Sequence, residues 1–203
     1  GCWVFGVNWW GDYSDDDALK LMRFSRDQGI TYFDCGDAYG NGRAESLLGR
    51  FVEEAGRENL QIGSKFGYDF YNDPGTPGSH KERKQDFSPK FMHYALEQSL
   101  RRLQTDCIDI YLAHNIKLPQ FNDELFAELE KVKDEGKIKL WGVALGPAIG
   151  WRDEGVDALL HRGAKAVHTV YNLFEQDPAR EFCEAALTVK ACVLARVHDN
   201  SGV

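Results

Sequence analysis

The sequence has no run of apolar residues approaching the roughly 18 that a membrane-spanning helix needs. Its first residues carry no basic stretch leading into an apolar one, the mark of a secretory signal. A soluble, cytoplasmic protein is therefore expected. Basic side chains are in deficit: 24 Lys and Arg stand against 32 Asp and Glu, a formal net charge of −8. The resulting field repels phosphate backbones and anionic lipid surfaces, which argues against nucleic-acid and membrane-surface roles. There is no CxxC pair of the kind that zinc and redox motifs use. The five cysteines (Cys2, Cys35, Cys107, Cys183, Cys192) are odd in number and widely spread, and the expectation is buried, reduced thiols. No GxGxxG follows the first apolar segment, which disfavours an open dinucleotide-binding sheet.

What the 203 residues do contain is apolar material, 43% hydrophobic and 12% aromatic. That suffices for one sizeable core and sets residues 1–203 as a single domain. Strand-like and helix-like segments alternate throughout, the rhythm of a parallel sheet with crossover helices. Strands are predicted at CWVFGV, ITYFD, LQIGSK, CIDIYLAH, IKLWGVAL, AKAVHTVY and ACVLAR. Between them, Ser14 caps a helix that Gly29 closes, another runs through ESLLGRFVEEA, and Ser88-Pro89 opens one striped by Met92, Leu96, Leu100 and Leu103. Leu125, Phe126, Leu129 and Val132 stripe the next, which stops at Gly136; helices through VDALLHR, ending at Gly163, and after Pro178 complete the series. Seven strands with six connecting helices point to an incomplete (β/α)₈ TIM barrel, an α/β fold for which a doubly wound open sheet is the competitor on periodicity alone. After Lys65 the pattern fails for about twenty residues, a length that signals a functional loop, here expected to be exposed. Its KERK run, Lys81 to Lys84, is read as a solvated face.

Active sites of such barrels lie where strands end and loops begin. Asp34 ends ITYFD, Tyr39 follows five residues later, Lys65 ends QIGSK and His114 ends IYLAH; all four are expected to face one mouth. A phenol releases its proton too reluctantly for acid catalysis at neutral pH unless a cation stabilises the phenolate, a task suited to Lys65. A lysine desolvated in a pocket tends to lose its charge, and a carboxylate such as Asp34 opposes that tendency. His114 has the chemistry to donate a hydrogen bond to a substrate carbonyl oxygen. Each residue alone has a bland explanation, as loop cap, core aromatic, solvated cation or buried imidazole. Their complementary roles on consecutive strand ends are what select the chemistry.

FDCGDAYGNGRAESLLG, IGSKFG, SLRRLQTDCIDIYLAH and EGKIKLWGV resemble the aldo/keto reductase family, with weaker similarity over nearly the whole chain. The resemblance implies a TIM barrel that binds NADPH without a Rossmann domain and reduces an aldehyde or ketone, a small-molecule carbonyl substrate, by hydride transfer. It implies a catalytic set of Asp34, Tyr39, Lys65 and His114, and Trp3 as an aromatic wall beside the nicotinamide. Cofactor contacts carried by the resemblance fall on Trp3, Asp34, Leu145, His168, Arg196 and Val197. NADP(H) is the expected cofactor, with NAD(H) open as well.

Three positions depart from the family pattern: the usual Ser-Asn after the fifth strand reads Ala144-Leu145, the usual Gln on the sixth reads His168, and the aromatic on the seventh reads Arg196. Lost amide contacts should weaken the hold on the nicotinamide, while the planar guanidinium of Arg196 is suited to lie against the ring. Measured against the family, the sequence starts inside the first strand and stops before a seventh helix, an eighth strand and an eighth helix. Residues outside this sequence, or another chain, are expected to cover the open strand edges; the oligomeric state stays open. Two alternatives stand beside the reductase: a cofactor-binding regulatory protein with little turnover, and an inactive truncated relative.

Overall fold

The structure, a computed structural model, describes residues 1–7, 11, 13–75, 83–146 and 151–198. Their contacts fall into two compact units, Gly1–Asp109 and Ile110–Val203. Among the described residues, six strands pair in the order in which they occur along the chain.

The first unit opens with α1, Asp15–Asp27. Ser14 caps it as its sequence predicts: Oγ accepts the Asp17 N–H at 3.1 Å, and three aspartates fill the first turn, where the dipole favours carboxylates. Gly29, with φ of 84°, turns the chain into β1, Tyr32–Asp34. α2, Arg43–Ala55, buries Leu47, Leu48, Phe51 and Val52 on one face. On the same helix Gly49 lets a neighbouring backbone in, since a Cβ there would stand 2.1 Å from the Arg102 carbonyl oxygen. β2, Gln61–Phe66, runs parallel to β1 with Asp34 opposite Gly63. α3, Pro89–Leu103, starts at the Ser88-Pro89 cap and buries Met92, Leu96, Leu100 and Leu103. Asp109 fastens the start of β3 (Ile108–His114) to β2, accepting from the Ile62 N–H at 2.8 Å and from Arg57 Nη2 at 2.6 Å.

The second unit continues from β3 through α4 (Asp123–Asp134), β4 (Ile138–Ala144), α5 (Arg152–His161), β5 (Ala166–Val170), α6 (Ala179–Val189) and β6 (Cys192–Arg196). β5 is parallel to both neighbours, pairing His168 with Ala144 and with Leu194. All five of its residues are buried, the pattern of a parallel strand covered on both faces. Among the described residues no helix is long and apolar enough to cross a membrane.

Two expectations need correction. The predicted first strand is a 3₁₀ turn, Trp3–Phe5, so the described residues hold six strands rather than seven. The Cys2 N–H does reach the Asp34 carbonyl at 2.7 Å, as a neighbouring strand would, but the Trp3 carbonyl is taken by the Gly6 N–H at 2.8 Å. That inward bond closes the turn and ends the ladder after one rung. The loop after Lys65 is not simply exposed. Phe70 and Phe87 are buried, Phe70 stacks on Tyr71 at 4.0 Å, and Tyr68 bridges Gln85 in antiparallel fashion. A reading by pattern and length missed aromatics too apolar to be left in water. Of the KERK run, Lys81 and Glu82 lie outside the described residues, while Arg83 reaches back to the carbonyls of Ala38 (3.3 Å) and Pro74 (3.1 Å).

Beneath the β1–α2 loop of the first unit lies a buried polar cluster. Glu45, fully buried on α2, accepts from Arg102 Nε at 2.7 Å and from Ser64 Oγ at 2.5 Å. Arg102 Nη2 donates to the Tyr71 hydroxyl at 2.9 Å. Burial pushes the Tyr71 phenol up. Asp37 is 0% exposed, and neither of its carboxyl oxygens has a hydrogen-bond partner. Burial first, and the Glu45 charge second, push its carboxyl well above the ordinary range, against the pull of the Arg102 and Lys65 charges. Asp37 is therefore protonated in the fold at pH values where the unfolded chain has lost that proton, so stability falls as pH rises above the ordinary carboxyl value near 3.8. Asp37→Asn is expected to raise the urea midpoint at pH 7, with the gain shrinking towards pH 4; a midpoint lowered at pH 7 contradicts this placement.

Candidate active site

β1 and β2 bring the first three candidate residues together by register. Asp34 pairs with Gly63, and Lys65, two residues on, emerges from the same face of β2. The chain beyond β1 continues the ladder, with the Cys35 N–H bonded to the Gly63 carbonyl at 2.8 Å and the Asp37 N–H to the Lys65 carbonyl at 3.2 Å. It then turns, the Tyr39 N–H reaching the Gly36 carbonyl at 3.1 Å and the Tyr39 carbonyl accepting from the Ala44 N–H at 3.2 Å in the first turn of α2.

Glycines set the position of Tyr39. A Cβ on Gly36 would lie 3.2 Å from the Tyr39 ring, so the ring rests across that residue. Gly6 meets the same loop backbone to backbone: a Cβ on it would lie 2.5 Å from Gly40 N, and Gly40 itself has φ of 61°. Arg43 locks the contact from α2, donating to the carbonyls of Phe5 at 2.5 Å and Tyr13 at 2.8 Å.

Lys65 is the electrostatic centre. Its side chain is 1% exposed, and Nζ donates to both Asp34 carboxyl oxygens at 2.8 Å and to the Cys35 carbonyl. Nζ stands 4.9 Å from the centroid of the Tyr39 ring. Burial works against the charge of the ammonium; the Asp34 carboxylate, bonded to it through both oxygens, is the largest opposing cause, and Lys65 is held above the ordinary lysine value. For Tyr39 burial is also the leading cause and pushes the phenol up, while Lys65, near it and hydrogen-bonded to it, pulls the other way. The result is a protonated phenol beside a charged ammonium.

The second unit holds the remaining candidates. His114 ends β3 as expected and is half-buried. Leu145, His168 and Arg196 are brought together at the ends of β4, β5 and β6: the Leu145 N–H donates to the His168 carbonyl at 2.8 Å, and Arg196 Nη2 donates to the Leu145 carbonyl at 2.8 Å. The Leu145 side chain is buried, packed near Gly155 of α5, so only its backbone is offered at the strand ends. Val197 takes φ of 54°, and its carbonyl accepts from Asn172 Nδ2 at 3.0 Å. Trp3 belongs to the first unit, in the 3₁₀ turn, 37% exposed.

Sequence reasoning passed over Glu45, Arg102 and Asp37, which shape the floor of the first unit. A signal was there for Glu45: a carboxylate inside the apolar stripe of ESLLGRFV requires a buried partner. Nothing in the sequence pairs it with Arg102, 57 residues away. Asn172, whose Oδ1 accepts the N–H groups of Phe174 and Glu175 while Nδ2 holds Val197, was also unread.

Comparison with known proteins finds aldo/keto reductases. The Aldo-keto reductase YhdN of Bacillus subtilis is 30% identical over 181 residues, 87% of this chain and 50% of that protein. The holo form of aldo-keto reductase AKR11C1 from Bacillus halodurans superposes with a TM-score of 0.81 at 24% identity, covering all of this chain and 62% of that one. An aldo/keto reductase from Klebsiella pneumoniae, solved in complex with NADP and acetate, aligns with a TM-score of 0.65 at 25% identity over 88% of this chain and 56% of its own. The match spans 38–50% of the length of the curated relatives, and the fold is an incomplete (β/α)₈ of the kind found in the solved structure from Bacillus halodurans. The sequence matches the profile of the Aldo/keto reductase family over residues 1–189, and the chain belongs to that family.

Proposed function

We propose that this chain reduces the carbonyl of an aldehyde or ketone to an alcohol with a reduced nicotinamide cofactor, Tyr39 delivering the proton. The observation that carries the reading is the buried Lys65 ammonium, paired with both oxygens of Asp34 and set 4.9 Å from the Tyr39 ring. A structural lysine would have little reason to be desolvated against a phenol.

When bound, the reduced nicotinamide supplies hydride to the carbonyl carbon. The second unit has a donor set that fits it: the planar Arg196 cation fixed on the Leu145 carbonyl and the His168 imidazole, 7% exposed, on the adjoining strand. A flat cation and an imidazole suit an aromatic carboxamide and its phosphates. Trp3 of the first unit and Val197 of the second are proposed as further cofactor contacts on the family resemblance alone. The NADP bound to the Klebsiella pneumoniae relative supports NADP(H) as the cofactor.

The chain's own residues handle the proton. At neutral pH Tyr39 holds it on Oη, because burial opposes ionisation. As charge develops on the substrate oxygen, the phenol gives up that proton, and the phenolate left behind is stabilised by Lys65. Asp34 does not touch the substrate in this scheme; it keeps Lys65 charged in a place where burial favours the neutral amine. His114 is proposed, on the family resemblance alone, to hydrogen-bond the substrate oxygen.

Tyr39→Phe is expected to lower kcat for carbonyl reduction about 10²- to 10⁴-fold, with cofactor affinity, followed by nicotinamide fluorescence, within a few-fold of the parent. Near-normal turnover in that variant rules out the proton donor. For pH dependence, Tyr39 and Lys65 are both held protonated above neutrality. The reduction profile of kcat/KM should therefore stay level through neutral pH and fall only beyond about 10, the ordinary tyrosine value. Asp34→Asn removes the charge that opposes burial at Lys65, so its alkaline limb should move to lower pH; an unmoved limb contradicts the assigned role.

A further inference from the structure

Cys2 and Cys35 lie 33 residues apart in sequence and share no motif, yet the fold sets them side by side. The Cys2 N–H donates to the carbonyl of Asp34, the residue bonded to Cys35, at 2.7 Å. Covalent lengths on either side of that bond keep the two Cα atoms within about 7 Å, and disulfides span about 4.4–6.8 Å. That hydrogen bond sets Cys2 and Cys35 in adjoining positions on neighbouring segments. Both are buried, 2% and 0% exposed, and unoxidised. The two thiols also differ: the neighbouring Cys35 pulls the Cys2 thiol down against the effect of burial, whereas burial first and Cys2 second push Cys35 up.

We propose that Cys2 and Cys35 form a reversible intramolecular disulfide when the folded protein meets a small peroxide. Cys2, as thiolate, attacks one peroxide oxygen; the O–O bond breaks, the leaving oxygen departs as water after protonation, and Cys2 becomes a sulfenic acid. Cys35 sulfur then attacks the Cys2 sulfur, the S–O bond breaks, and the Cys35 proton leaves with the second water. Two thiols are oxidised by two electrons and one hydrogen peroxide is reduced to two waters.

The bond has a target in the site. The Cys35 carbonyl accepts from Lys65 Nζ, and the Asp34 carbonyl accepts from Cys2 while the Asp34 carboxylate holds the same Nζ. A disulfide would tie the 3₁₀ turn covalently to the two residues that hold the ammonium. Cys107, Cys183 and Cys192 are each less buried than this pair, so exposure alone would have them oxidised first. Proximity reverses that order, because a sulfenic acid formed on Cys2 has a second thiol beside it with which to close the disulfide.

The test is a titration of the folded protein with hydrogen peroxide, followed by denaturation, alkylation and peptide mass mapping without reductant. The expected first product lacks two hydrogens and contains a Cys2–Cys35 cross-linked peptide, which dithiothreitol restores to two free thiols. In Cys35→Ser the product should stop at a Cys2 sulfenic acid that dimedone captures. Oxidation of Cys107, Cys183 or Cys192 while Cys2 and Cys35 still alkylate as free thiols overturns the proposal. The readout is mass, so it stands whether or not the chain reduces carbonyls.

Discussion

The first unit is organised around one desolvated charge. Taking an ammonium out of water is costly enough that a lone buried lysine gives up its proton. Lys65 keeps it only because two carboxyl oxygens of Asp34 and a backbone carbonyl receive its N–H groups. The parallel register of β1 and β2 exists in a form that sets Asp34 against this side chain, and the loop that follows β1 is drawn back over it. Without the charge, Tyr39 would be a buried phenol with every influence driving it away from ionisation; with it, the same phenol has a route to release a proton.

The surroundings serve that arrangement through shape as well as charge. Gly36 gives the Tyr39 ring a flat surface, and Gly6 and Gly40 let the 3₁₀ turn and the β1–α2 loop meet without side chains between them. Arg43 then ties α2 to the turn through two carbonyls. Below, Glu45 and Arg102 neutralise one another, which leaves Asp37 a carboxyl that burial favours in its neutral form.

Much of this was legible in the sequence because it is local. Helix starts at Ser14 and at Ser88-Pro89 are written in a few adjacent residues, and the apolar stripes of α3 and α4 name their own buried faces. Asp34, Lys65 and His114 announce themselves as polar residues closing apolar runs. What could not be read is what depends on long-range pairing. CWVFGV has the composition of a strand, and only its contact with Gly40 and the inward bond at Trp3 turn it into a 3₁₀ turn. Likewise the aromatics after Lys65 look like loop until their burial is seen, and Glu45–Arg102 and Cys2–Cys35 have no sequence pattern joining them.

The central claim is that Lys65 remains an ammonium although it is buried, and the direct measurement is the ¹⁵N chemical shift of its Nζ followed by NMR as pH is raised. The account predicts an ammonium shift that persists beyond about pH 10.4, where an ordinary lysine is half titrated. A neutral-amine shift appearing below that pH would contradict it.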